Sequence, residues 1–431
     1  MPQASRHART NCCDCHPCAA AVAVVDPATP GLSPRLLAGA PHRLMFCIGA
    51  CNVLLAMAWW AAWLVSMRWP SLLSMTAVEP YAGWLHAFIM QYQMLPSFIF
   101  GFLLTVFPRW MGLRELDRWH YLPVGLGIFG GQIATLLGAL GWHVGIVVGV
   151  LMTLAGWIMA IASLAPLLKR EAGTTWHARS CFAALVLGLA GLLAWMAFLL
   201  GASPLWAFAS IKIGTFGFLL PIYLTVAHRM FPFFAGNVVP GYTPWRPLWL
   251  LALFWALTML HLVLELVHGY SWLWLADIPM FILTLWLCVR WWPQGAKPPL
   301  LTVLFVSLWW LPFAFTLYSA QSIDYLLGGD YMLGRAPAHA LFIGFFGSAL
   351  IAMVTRVTQG HSGRALVLPK VAWFSFAAIQ LVALLRIGAE LAKDPPAWQA
   401  IAACGWIVAF LPWLVRIGII TLSPRADGKP G

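Results

Sequence analysis

This chain has little acid. Only 13 of its 431 residues are Asp or Glu, and charged residues of both signs together make up 9%. So few solvated groups cannot clothe a water-soluble surface of this size, which excludes an ordinary soluble enzyme. Polar stretches are equally scarce. Between about residues 44 and 421 none exceeds the length of a loop, so no sizeable soluble domain fits there. The first 40 residues are polar, lack the apolar core of a secretory leader, and read as a flexible tail. What the chain has instead is 62% hydrophobic residues, arranged in twelve stretches long enough to cross a bilayer. They lie at about 44–67, 81–107, 121–141, 143–167, 180–201, 205–231, 247–268, 270–292, 299–320, 333–356, 369–391 and 397–421. Lipid offers the backbone no hydrogen bonds, so these stretches must be helices. The expected fold is an all-α polytopic bundle: a tail at 1–40, a twelve-helix domain at 41–422 and a second tail at 423–431.

The net charge of +12 reports topology and implies no nucleic-acid partner. If the N-terminus is cytoplasmic, alternate loops and helix ends collect 20 of the 25 Lys and Arg on that side. Arg68, Arg335, Arg386 and Lys393 fall outside, and Lys212 lies within a helix. The positive-inside rule then places both termini in the cytoplasm. Eight of the nine cysteines fall on the same, reducing side, so no structural disulfide is expected. The lipid bilayer is the first implied partner.

Ionisable groups inside the membrane are costly and mark function. His86 sits about five residues into helix 2, roughly 7 Å deep at 1.5 Å per residue, and His339 reaches nearly the same depth in helix 10. Helix 7 carries His261, Glu265 and His268, whose spacing of four and three puts them on one stripe. Asp277 and Arg335 occupy the same outer third. Two histidines at equal depth on different helices can clamp the iron of a b-type haem, with Arg335 against a propionate. His261 and His268 can hold copper, with Glu265 orienting them. An interhelical hydrogen-bond network explains the helix 7 stripe as well. Lys212, beside Gly214 and Gly217, reads as a residue that snorkels to the outer surface. The tail segment Cys12-Cys13-Asp14-Cys15-His16-Pro17-Cys18 contains C-x-x-C-H. Its cytoplasmic side excludes covalent haem attachment and leaves a thiolate copper or zinc site, or an incidental Cys-rich tail.

Several runs carry a family resemblance. His86 followed by Gly101-Phe102-Leu103-Leu104-Thr105 and Pro108-Arg109-Trp110 resembles the helix 2 motif of the NnrS family. Arg229-Met230-Phe231-Pro232-Phe233-Phe234 is similar to its R-V-I-P-F-F. His339-Ala340-Leu341, Met353-Val354-Thr355-Arg356 and Gly360-His361-Ser362-Gly363-Arg364 are similar to its H-A-L, M-T-R and G-H-T-G-R. The resemblance spans most of residues 38–370. It implies a twelve-helix protein of the bacterial inner membrane, associated with haem, copper and the response to nitric oxide and nitrosative stress. One departure matters: where the family has W-H-A-H-E-M, this chain has Trp84-Leu85-His86-Ala87-Phe88-Ile89-Met90, with Phe88 and Ile89 in place of the second His and the Glu. That implies a divergent member that keeps haem and alters copper binding.

Helix order also resembles subunit I of haem-copper oxidases, with His86, His228, His261 and His339 on helices 2, 6, 7 and 10. Helix 7 lacks a His-His pair and helix 10 lacks His-x-His, which disfavours a true oxidase. The expected function is haem binding, with copper as a second cofactor, in the nitric-oxide response. The alternatives are a haem-copper-oxidase-like redox enzyme, and a transporter or haem-handling assembly factor. No catalytic residue is assigned.

Overall fold

Every regular element among the described residues is helical. The computed structural model describes residues 31–142, 144–295 and 297–428, so the Cys12–Cys18 segment lies outside the described residues. Twelve helices are long and apolar enough to span a membrane. They are α1 (Pro41–Arg68), α2 (Ala82–Trp110), α3 (Arg118–Ala139), α4 (Gly145–Arg170), α5 (Trp176–Leu199) and α6 (Leu205–Val238). They continue as α7 (Leu248–Leu266), α8 (Tyr270–Trp291), α9 (Pro299–Leu326), α10 (Ala336–His361), α11 (Lys370–Leu391) and α12 (Pro395–Leu422).

All twelve expected spans are present, and their ends differ where hydrogen bonding overrides hydropathy. Helix α6 runs on to Val238 and α9 to Leu326, because a helix can extend past its apolar stretch once its ends find partners. In α9 the Ser322 hydroxyl donates to the Tyr270 carbonyl at 2.7 Å and accepts the Trp274 amide at 3.1 Å. The expected loop at Gln321 is therefore helix. Helix α7 stops early, at Leu266. His268 adopts the left-handed region (φ 56°), its amide bonds the Glu265 carbonyl, and the Gly269 amide bonds the Leu264 carbonyl at 2.7 Å. These two bonds form a Schellman cap, here with histidine where glycine is usual.

Contacts between helix ends fix the two faces of the bundle. At one face the Ser33 amide bonds the Leu422 carbonyl, Arg109 meets His361, and Arg229 lies 4.5 Å over the Trp110 ring. This face holds the start of α1 and the ends of α2, α6, α10 and α12, and is called the terminal face below. At the opposite face Arg68 pairs with Asp394, and Tyr270 packs against Tyr325 and Tyr331. The helices thus alternate in direction.

Helices α2 and α10 are the most enclosed, with 89% and 78% of their most apolar window buried; α6 and α9 follow at 61%. The other eight range from 39% to 56%. Helices α2, α6 and α10 share a second feature: each carries a π-helical segment, at Ile89–Met94, Ile213–Leu219 and Ala340–Gly347. Pro96 and Pro221 explain the first two. Each lacks an N–H, and its ring displaces the carbonyl four residues back, at Tyr92 and Gly217, inside the π segment. In α10 no proline stands at the matching place. The Trp310 ring lies directly on Gly344, where any Cβ would collide with it. The sequence shows no repeat beyond the paired His-Ala openings of α2 and α10, yet one device recurs every fourth helix.

Candidate functional site

The three π-bearing helices wall a cavity of about 880 Å³ that also touches α1, α7, α8, α9, α11 and α12. Its size suits a large planar ligand; pockets for cofactors run to about 1,000 Å³. Much of the wall is aromatic or aliphatic, including Trp60, Trp84, Phe342 and Trp406. Charged and imidazole groups enter from few places: His86 on α2, Lys212 on α6, Glu265 on α7, Arg335 and His339 at the start of α10, and Arg386 on α11. His86, Lys212 and His339 each stand within three residues of the start of a π segment. A π turn inserts extra backbone and re-aims what precedes it, and such turns are frequent at functional sites.

The two histidines are held differently. The His86 ring lies flat on Trp60, centroids 4.2 Å apart and planes 9° apart, and among the described residues neither ring nitrogen has a hydrogen-bond partner. His339 donates from Nδ1 to the Arg335 carbonyl at 2.9 Å. That bond fixes the tautomer and leaves the Nε2 lone pair for a ligand, which is how a metal-binding histidine is normally oriented. Arg335 is exposed into the cavity, while Arg386 is held by Glu390 at 2.6 Å. These residues fit haem: two imidazoles with free lone pairs, an aromatic enclosure, and two guanidinium groups for carboxylates.

The helix 7 stripe holds together only in part. The His261 Nδ1 donates to Asp277 Oδ1 at 2.6 Å, and its Nε2 faces Glu265 Oε1 at 3.5 Å. Glu265 accepts from the Lys212 ammonium at 2.8 Å. The result is a chain, Asp277–His261–Glu265–Lys212, that is buried at its first three members and ends at the cavity. His268 is not in it. Because α7 has already ended, its ring turns away to Tyr270, with Nδ1 2.9 Å from the hydroxyl, and lies 5.1 Å from the Phe208 ring. Among the described residues no three His, Cys, Asp or Glu side chains meet as a metal cage. With a lysine ammonium on Glu265, the stripe does not fit a copper ion.

Phe88 and Ile89, which stand where the family pattern has His and Glu, are fully buried away from the cavity; Phe88 stacks on Trp195 at 4.8 Å. His228 lies near the terminal face, bonded to His177 at 2.8 Å and to the Pro247 carbonyl at 3.1 Å. Lys212 does not snorkel to the surface as expected; the carboxylate of Glu265 holds it inward.

Sequence reasoning missed Arg386, Trp60 and a cluster of three tyrosines. An arginine inside an apolar helix was a usable signal; the tyrosines were not, since only the fold assembles them. Tyr270, Tyr325 and Tyr331 meet edge to face, centroids 6.0–6.1 Å apart, and all three line the cavity. Tyr331 sits in the loop between α9 and α10. Burial pushes its phenol above the usual range, and the negative charges of Glu265 and Tyr270 add to the effect.

At the other end of the bundle three of the quoted sequence motifs converge. Arg109 of the α2 motif lies 3.3 Å from the His361 Nδ1 of the α10 motif. Trp110 underlies Arg229 of the α6 motif, and Phe234 underlies Arg356 at 3.9 Å. These contacts lock the ends of the three π-bearing helices to one another. No curated protein matches the chain. The family model described as NnrS protein matches residues 36–425, which include the whole bundle and the motifs of α2, α6 and α10, and the chain therefore belongs to the NnrS protein family.

Proposed function

We propose that this protein holds a b-type haem in its central cavity and serves the bacterial response to nitric oxide from the inner membrane, with both termini in the cytoplasm. His86 and His339 would hold the iron through their free ring nitrogens, and Arg335 and Arg386 would balance the charge of the haem carboxylates. The observation that carries the reading is the pairing of two imidazoles on one aromatic cavity, with His339 tied through Nδ1 so that Nε2 is free. Bound there, the haem would supply one-electron chemistry. The chain's part is to orient two nitrogens, exclude bulk water with Trp60 and Phe342, and balance charge from α10 and α11. The basic terminal face supports the orientation. Copper is not assigned to α7, where Lys212 already neutralises Glu265.

The test is haem content and visible spectrum of the purified wild type and of His86→Ala, His339→Ala and His268→Ala. A low-spin b-type spectrum is expected, lost in the first two variants and kept in the third. Retention of that spectrum in both His86→Ala and His339→Ala would refute the ligand assignment.

A further inference from the structure

We propose that the chain Asp277–His261–Glu265–Lys212 is a proton-binding relay that couples one proton to one electron placed in the cavity. The inference rests on the haem reading for the electron, and on the geometry of α6, α7 and α8 for the proton. Asp277 is a carboxylate acceptor 2.6 Å from His261 Nδ1, so Nδ1 carries the hydrogen. In neutral imidazole, Nε2 is then a bare lone pair. It faces Glu265 Oε1 at 3.5 Å, longer than a hydrogen bond, so two acceptors confront each other with room for one proton between them. Three atoms of this chain, His261 Nε2, Glu265 Oε2 and Asp277 Oδ2, are buried without a partner among the described residues. So dense a group of unsatisfied atoms calls for a functional reason.

The formal charges agree. Two carboxylates and one ammonium sum to −1 while His261 is neutral, and to zero once it accepts a proton. The groups that face the chain from neighbouring elements are Lys212 and the Phe216 ring on α6, Tyr270 on α8, Tyr318 on α9 and Tyr331 in the loop beyond. Across the cavity stand His86, Arg335, His339 and Arg386. The guanidinium groups of Arg335 and Arg386 repel a second proton, so the relay holds one. Lys212 and Glu265 both line the cavity, and the tyrosines Tyr270, Tyr325 and Tyr331 line its wall nearest the opposite face.

A small-molecule one-electron donor adds one electron in the cavity and is oxidised by one unit. A hydronium ion at the mouth gives up one proton to the Glu265 carboxylate and leaves as water, and that proton comes to rest between Glu265 Oε1 and His261 Nε2. No bond to carbon forms or breaks.

The experiment is a potentiometric titration of the haem-loaded, full-length protein with redox mediators at several pH values. Across the range in which the relay fills, the midpoint potential should fall by about 59 mV per pH unit, the tenfold-per-proton value for a one-electron couple. Glu265→Gln and His261→Gln should flatten that slope while haem content and spectrum stay as in wild type. Glu265→Asp should retain a slope. A haem-loaded wild type with a pH-independent potential overturns the relay and leaves the haem reading intact. So does a Glu265→Gln protein with the full slope. A protein that binds no haem overturns the haem reading instead. The relay is then decided by infrared titration of the same protein, where a single proton-uptake carboxyl band absent from Glu265→Gln supports it and an unchanged band refutes it.

Discussion

Replacing Lys212 by Met should destabilise the protein in a strongly pH-dependent way. The ammonium lies 2.8 Å from a Glu265 carboxylate that is only 1% exposed, while the lysine side chain itself is 23% exposed. At an effective dielectric of 20, a pair at that distance attracts by roughly 6 kcal/mol. Losing the partner of a buried charge costs about 3–5 kcal/mol in practice. Glu265 has an escape: it can take up a proton. From an ordinary carboxylate value of about 4.3, holding that proton at pH 7 costs about 3.7 kcal/mol, and each unit of acidification removes about 1.36 kcal/mol. The loss in Lys212→Met should therefore be about 3–4 kcal/mol at pH 7 and about 1 kcal/mol at pH 5. In sign, the folded variant binds one proton more than its unfolded chain at pH 7, so its stability rises as pH falls. Adding Glu265→Gln should remove most of the deficit at both pH values. The assay is unfolding of the detergent-solubilised protein, monitored by loss of tertiary signal at pH 5, 6 and 7. A loss under about 1 kcal/mol at pH 7, or one equal at pH 5 and pH 7, would refute this account of the pair.

Three further outcomes follow from other parts of the bundle. Gly131→Leu should destabilise by about 1–3 kcal/mol, because a Cβ there meets the Thr153 hydroxyl and lies 2.8 Å from the Gly149 carbonyl where α3 and α4 touch; thermal melting checks it. At the opposite face, the hydrogen bond from Arg68 holds the Asp394 carboxyl below its usual range, so its contribution is present above the unfolded value near 3.9 and fades as pH falls through the lower folded value. Asp394→Asn should thus flatten the acid limb of a stability–pH curve below about pH 4. Reporter fusions ending at Gly329 and Gly360 should give periplasmic and cytoplasmic signals respectively; the reverse pattern would invert the assigned orientation.

Much of the fold was legible because a bilayer makes secondary structure a local property. An apolar run of sufficient length has no alternative to helix, so twelve runs yielded twelve spans. Depth was legible for the same reason: counting residues from a helix end placed His86 and His339 at one level, and both line one cavity. Direction was not legible. The stripe of His261, Glu265 and His268 assumed a helix through residue 268, and a two-bond cap ends it at Leu266, which sends His268 to Tyr270. Lys212 was read as a surface-seeking cation because its partner, Glu265, lies 53 residues away on another helix.

The sequence alone determined the class, the number of crossings, the charge asymmetry and the depth of the ionisable groups, since each depends on composition along a single helix. Tertiary structure decided which of those groups meet. The π segments of α2, α6 and α10 change the helical phase, and Pro96 and Pro221 hint at only two of them. The third has no such proline; within it the Trp310 ring is pressed on Gly344, a contact between α9 and α10 that no local pattern encodes. A phase change of one residue turns a side chain by about 100°. Packing between distant helices therefore settled that His86, Lys212 and His339 face one another's cavity, and that His261 faces Asp277.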